Sequence, residues 1–151
     1  MQQTLLFGLT STLSRIHRSL ADLTEEEARR IPLDGLAPIV WQAGHIAFID
    51  AYFARTVDSR SRAPDGYPEL FRAGTGGAAN YPPLAEVKEV LNGGQRFLEA
   101  IVQTVDPATP LESERYGNAG ELIVFLCYHR GYHIGKINTL RALLKKPRLF
   151  G

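Results

Sequence analysis

The sequence predicts an all-α protein, a four-helix bundle. Long stretches carry apolar residues at three- and four-residue spacing, no segment alternates with the period of two that a half-buried strand requires, and capping residues and prolines punctuate the stretches where helices should start and stop. Four such stretches with one apolar face each are solved by packing helix on helix around a common core. At 151 residues the chain is long enough for one domain spanning 1–151 with a single sizeable core.

The first helix is expected over residues 2–22, where Leu5, Leu6, Leu9, Leu13, Ile16 and Leu20 recur at helical spacing. Thr24 followed by Glu27 forms a capping-box pair that opens a short helical piece to about Arg30. A turn spans Pro32 to Ala37, and Pro38 suits the first position of the second long helix, which runs to about Asp58. Its inward face carries Trp41, His45, Phe48, Ile49, Tyr52 and Phe53, with Gln42 at the margin.

Between residues 59 and 83 the periodicity disappears and Gly, Pro, Arg and Asp dominate. A loop of that length inside a compact domain is usually functional or disordered. Tyr67, Leu70, Phe71 and Tyr81 give it enough aromatic area to pack as an ordered lid across one end of the bundle. Helical spacing resumes at Leu84 and continues to Val105, interrupted by Gly93 and Gly94, a pair expected to mark close helix approach, a bend or room for a ligand. A second loop covers 106–117, and Asn118 with Glu121 launches the last helix, which Pro147 ends.

That last helix holds His129 and His133 one turn apart on the side shared with Leu122, Phe125, Leu126, Ile137 and Leu140. Two imidazoles buried side by side cannot both be charged, and each neutral ring still needs a partner. A divalent cation satisfies both, and a third ligand is then required. His45 stands in the middle of the second helix's apolar face, and a bundle brings inward faces of different helices to about 8–10 Å between axes. Three neutral imidazoles from two helices would form a facial site with open positions for water and substrate. The competing reading, that these are hydrogen-bonded core histidines, stays open at this point. His17 lies beside the Ile16 stripe and is left over, as a surface residue or one that supports the site.

Several residues exclude or refine classes. Arg130 follows His129 where the HExxH metalloproteases carry their glutamate base, so that chemistry is ruled out. Cys127 lies about 160° around the helix from His129 and is expected to be a buried structural thiol. Lys136 falls near the histidine face, where a charge either snorkels or addresses something anionic. Seventeen Lys+Arg against sixteen Asp+Glu leave a formal net charge of +1, which argues against nucleic acid as a partner. A single cysteine fits a reducing compartment. No run approaches a membrane span and no basic, apolar leader opens the chain, so a cytoplasmic protein with no membrane association is expected.

The segments WQAGHIAFIDAYF and YHRGYHIGKINTLRALL, with YPELF in the long loop, resemble the DinB/YfiT-like superfamily over nearly the whole chain. VWQAGH is also similar to the DinB-like domain of ergothioneine-synthesising sulfoxide synthases. The resemblance implies an up-down-down-up helix order, a homodimer, and a divalent metal, zinc, nickel or iron, held by His45, His129 and His133. It implies an activity among those of characterised relatives: thiol-dependent S-transfer with bacillithiol or mycothiol, mycothiol-dependent isomerisation, or sulfoxide synthesis. The expected partners are therefore a small-molecule thiol and an electrophilic substrate, with Trp41, Gln42, Tyr52 and Lys136 as substrate-binding candidates. Many members carry glutamate and glutamine where this chain has Arg130 and Lys136, a difference that bears on substrate and leaves the ligands intact. A non-catalytic bundle whose metal is structural or regulatory is the alternative.

Overall fold

The structure, a computed structural model, describes residues 1–150. Six helices follow in order: α1 Gln2–Leu20, α2 Glu25–Arg29, α3 Ile39–Ala54, α4 Tyr67–Phe71, α5 Leu84–Thr104 and α6 Ala119–Leu143. The short α2 begins as its sequence dictates: the Glu27 amide donates to Thr24 Oγ1 at 3.2 Å and the Thr24 amide to Glu27 Oε2 at 2.8 Å, so two otherwise orphaned donors satisfy each other's side chains. At the start of α6 the Glu121 amide donates to Asn118 Oδ1 at 2.9 Å. Pro38 acts as the N-cap of α3, so the helix begins at Ile39, one residue after the predicted start. The helix α6 stops at Leu143, short of Pro147, where Lys145 takes a left-handed backbone conformation with φ 61°.

Four long helices form the bundle, with α1 packed on α5 and α6, and α3 packed on the same two. Directions follow from side-chain contacts. Along the α1–α6 pair, Arg130 reaches the Leu9 carbonyl and Arg141 the Ser19 carbonyl, so numbers rise together and the helices are parallel. Between α3 and α6, Gln42 meets His133, His45 meets His129 and Phe53 meets Phe125, so numbers run in opposite senses. His17 bonds Asn92 and Lys88 bonds the Leu20 carbonyl, which makes α5 antiparallel to α1. The order is up-down-down-up: α1 and α3 sit diagonally, as do α5 and α6, while α3 and α5 are parallel neighbours joined by a crossover that contains the 59–83 loop.

The core is divided. One apolar cluster includes Ile16, Leu20, Trp41, Ile46, Phe71, Leu91 and Ile137; the other includes Leu5, Leu9, Leu98, Ile101, Leu122 and Leu126. Between them each long helix contributes polar atoms to one layer centred on Arg130, whose side chain is fully buried. Its Nε and Nη2 donate to Asp50 Oδ2 at 3.0 and 2.7 Å, and its Nη1 to Gln95 Oε1 at 2.7 Å and to the Leu9 carbonyl at 3.2 Å. One guanidinium therefore ties α6 to α3, α5 and α1 at once. The inward side of α6 is accordingly centred closer to Arg130 and His133 than to His129, which is only half-buried.

The expected lid is ordered and contains a helical turn, α4, that periodicity did not reveal because five residues are too few to establish a face. Phe71 is fully buried against Gly44, where an added Cβ would stand 2.2 Å from its ring, so glycine is required for the lid to seat on α3. Gly93 and Gly94 mark no such approach. The helix α5 runs through them, and added Cβ atoms would meet at nearest an Arg96 nitrogen at 3.9 Å. Cys127 is half-buried beside Gly8 of α1. Among the described residues no helix is long and apolar enough to cross a membrane.

Candidate metal centre

His45 projects from the middle of α3, and His129 and His133 project from successive turns of α6, into the gap between these antiparallel helices. Each residue offers a nitrogen, and the three nitrogens lie within 4.8 Å of one another. Ring centroids are 5.1 Å apart for His45 and His129, 4.7 Å for His45 and His133, and 4.5 Å for His129 and His133. His17, the fourth histidine, bonds Asn92 Oδ1 at 2.7 Å, on the α1–α5 side.

The partners of the outer nitrogens decide which nitrogens face inward. A carbonyl oxygen only accepts, so His45 Nδ1–H donates to the Phe71 carbonyl at 2.5 Å and leaves its Nε2 with a lone pair. His133 Nδ1–H donates in the same way to Gln42 Oε1 at 2.7 Å. Such partners fix the tautomer and swing of a ligating imidazole. His45 is also stacked on Trp41, centroids 4.6 Å apart and planes at 12°, and Trp41 is held by hydrogen bonds from its Nε1 to the Leu70 carbonyl and Thr75 Oγ1, both at 3.1 Å. The lid thus anchors one ligand directly and its stacking partner twice.

His129 supplies the test of whether a cation fits. Its Nε2 faces His45 Nε2 at 3.2 Å, and its Nδ1 is buried without a partner. Whichever nitrogen of His129 carries the proton, the protein alone leaves the ring incompletely satisfied. Two nitrogens bound at 2.0–2.1 Å to one tetrahedral ion stand about 3.3 Å apart, and a shared cation converts this contact between unsaturated nitrogens into coordination. Burial disfavours charge on these rings, with mutual repulsion adding to it: His129 is pushed down to about 4 and His133 to about 3, and His45 is lowered mainly by burial. All three are therefore neutral at pH 7, the form that binds metal.

The substrate-binding candidates separate. Trp41, Gln42 and Lys136 line a cleft of about 930 Å³, together with Tyr132, Asp34 and the Gly76 backbone. The three histidines do not themselves line this cleft, but residues that touch them do: Trp41 stacks on His45, Gln42 bonds His133, and the Tyr132 ring meets His133 edge-on at 5.0 Å. Tyr52 stands apart, 58% exposed on α3 and packed against Phe48 and Phe53. Arg130 turns away from the site into the polar layer. Its partner Asp50 was missed by sequence reasoning, although a lone acid inside IAFIDAYF was a signal, since a carboxylate in an apolar helix needs a buried cation. Burial pushes the Asp50 carboxyl up, against the pull of Arg130. The Phe71 carbonyl was also missed, and a backbone acceptor leaves no residue-type signal.

Comparison with known proteins agrees with this architecture. No curated protein matches the chain by sequence. Among solved structures, a conserved protein from Enterococcus faecalis superposes with a TM-score of 0.76 at 12% identity, over 96% of this chain and 97% of that one, which establishes the shared fold. A model of the DinB superfamily matches residues 9–137, a span that contains all three clustered histidines. The chain is a member of the DinB superfamily, with a three-histidine group suited to a divalent metal.

Proposed function

We propose that this protein is a metal-dependent enzyme that transfers a low-molecular-weight thiol to a small electrophile. The observation that carries the reading is the trio of inward-facing imidazole nitrogens beside a cleft of about 930 Å³. When bound, a divalent ion held by three neutral ligands keeps its positive charge and stabilises a thiol as its thiolate near neutral pH. Zinc, nickel and iron all accept such ligands.

His45, His129 and His133 would hold the ion, with Gln42 and the Phe71 carbonyl keeping two of the rings in register. Trp41 and the lid exclude water from the ligands, which raises the strength of every electrostatic contact inside. In the transfer, sulfur forms a bond to the electrophilic carbon, the leaving group departs with the bonding pair, and the thiol proton passes to solvent. The cleft would supply space for the reactants next to the residues that touch the ligands, and Tyr132 and Lys136 would line their approach.

The test is metal analysis of untagged protein followed by conjugation assays with several thiols and electrophiles. Expected are about one equivalent of metal, its loss in His45→Ala, and thiol consumption that requires the metal. A metal that remains bound while no thiol reacts would overturn the transferase reading. It would favour instead a structural or regulatory ion, which the low exposure of His45 and His133, 6% and 4%, also suits, because structural sites are closed.

A further inference from the structure

Lys136 is exposed on α6, three residues beyond His133, and forms no ion pair with a carboxylate among the described residues. Its ammonium group lies over the Tyr132 ring, 4.6 Å from the centroid. Both side chains belong to the cleft wall that abuts the histidines, and the lysine charge is felt at His45 and His133. An aromatic face that holds an ammonium restricts where a flexible stem can place it, so the cation stands as a located charge and not as a mobile surface group. The cleft is also lined by Asp34, from the turn before α3. The two charges give the cleft a polarity: an acidic group is drawn to the α6 wall and kept off the turn.

We infer that the cleft selects a thiol bearing a carboxylate, with Lys136 as the residue that reads the acid while the sulfur is directed toward the three histidines. This rests on the thiol-transfer reading above and adds the charge of the co-substrate. A neutral thiol of the same size would find the same metal and the same walls but no partner for Lys136. Lys136 thereby acts as a specificity-determining residue.

The test uses the full chain with cobalt(II) in the site, whose visible spectrum reports sulfur binding without any turnover. The probes are 3-mercaptopropionate and 2-mercaptoethanol, titrated at low salt against wild type, Lys136→Met and Lys136→Arg. Because the thiols differ intrinsically, the quantity read is the ratio of their affinities in each protein. Lys136→Met is expected to lower the relative affinity for 3-mercaptopropionate about threefold to fivefold, the scale of one solvent-accessible charge pair, while Lys136→Arg retains it. The wild-type preference should also shrink as salt is raised. Since Lys136 is exposed, the variants should keep the wild-type cobalt spectrum before thiol is added. An unchanged ratio in Lys136→Met overturns this assignment alone. Failure of either thiol to alter the spectrum of any of the three proteins overturns thiol binding, and this assignment with it.

Discussion

Replacing Arg130 by methionine removes the one side chain among the described residues that bonds to the three other long helices. The guanidinium makes two hydrogen bonds to Asp50 Oδ2, one to Gln95 Oε1 and one to the Leu9 carbonyl, while the buried Asp50 Oδ1 has no hydrogen-bond partner. Methionine fills much of the volume, so the cost is electrostatic: a carboxylate 1% exposed is left without its cation. Breaking a buried pair from one side costs about 3–5 kcal/mol. At about 2–4 °C per kcal/mol for a domain of this size, Tm should fall by roughly 6–20 °C. Denaturant unfolding of chelator-treated protein measures this without a contribution from bound metal. Asp50→Leu combined with Arg130→Met removes both charges and should recover most of the loss, since an apolar pair of similar volume is often neutral or better. The pH dependence has a definite sign. In Arg130→Met the folded-state pKa of Asp50 is raised above its unfolded value, so the folded protein binds the extra proton. The deficit is then smallest at acidic pH and grows as pH rises through the folded pKa. If Arg130→Met costs under about 1 kcal/mol, or the double variant is as unstable as the single one, the polar layer is not what joins the helices.

Other changes probe the metal centre and its lid. Gln42→Leu removes the acceptor of His133 Nδ1–H and should weaken metal binding about 10- to 100-fold in chelator competition, the usual scale for an outer partner of a ligating histidine. Gly44→Ala drives a methyl to within 2.2 Å of the Phe71 ring, and should cost about 1–3 kcal/mol and alter the fluorescence of Trp41, the only tryptophan. Metal-free protein should lose stability as pH falls below about 6.5, because the unfolded chain then takes up protons that His129, held at about 4, and His133, held at about 3, refuse in the folded state. Each contributes at most about 1.4 kcal/mol per pH unit, read from denaturation midpoints across pH 4–8. A flat profile over that range would refute the burial of both rings.

The DinB resemblance and the helical reading of the sequence rest on residues that carry their own evidence. Periodicity located four long helices, Thr24 with Glu27 and Asn118 with Glu121 set two helix starts, and His45, His129 and His133 stood out as polar rings on apolar faces. Each signal is local, since a capping side chain bonds a backbone amide three residues away and an imidazole at the wrong angle would fall outside the stripe. Arg130 and Asp50 also lay within apolar helices, yet nothing in their spacing said that, 80 residues apart, they form an ion pair whose guanidinium also donates to Gln95 and the Leu9 carbonyl.

What the sequence by itself determined was where the long helices run and most of the apolar residues that turn inward, because helical phase follows from local backbone geometry; Tyr52, Asp50 and Arg130 depart from that reading. Which of the inward residues meet was decided only by the tertiary structure. The diagonal placement of α1 against α3 and of α5 against α6, the seating of Phe71 on Gly44 and the carbonyl that orients His45 all depend on contacts between segments distant along the chain. Such contacts arise from three-dimensional packing and from backbone atoms common to every residue, so no amino-acid pattern announces them.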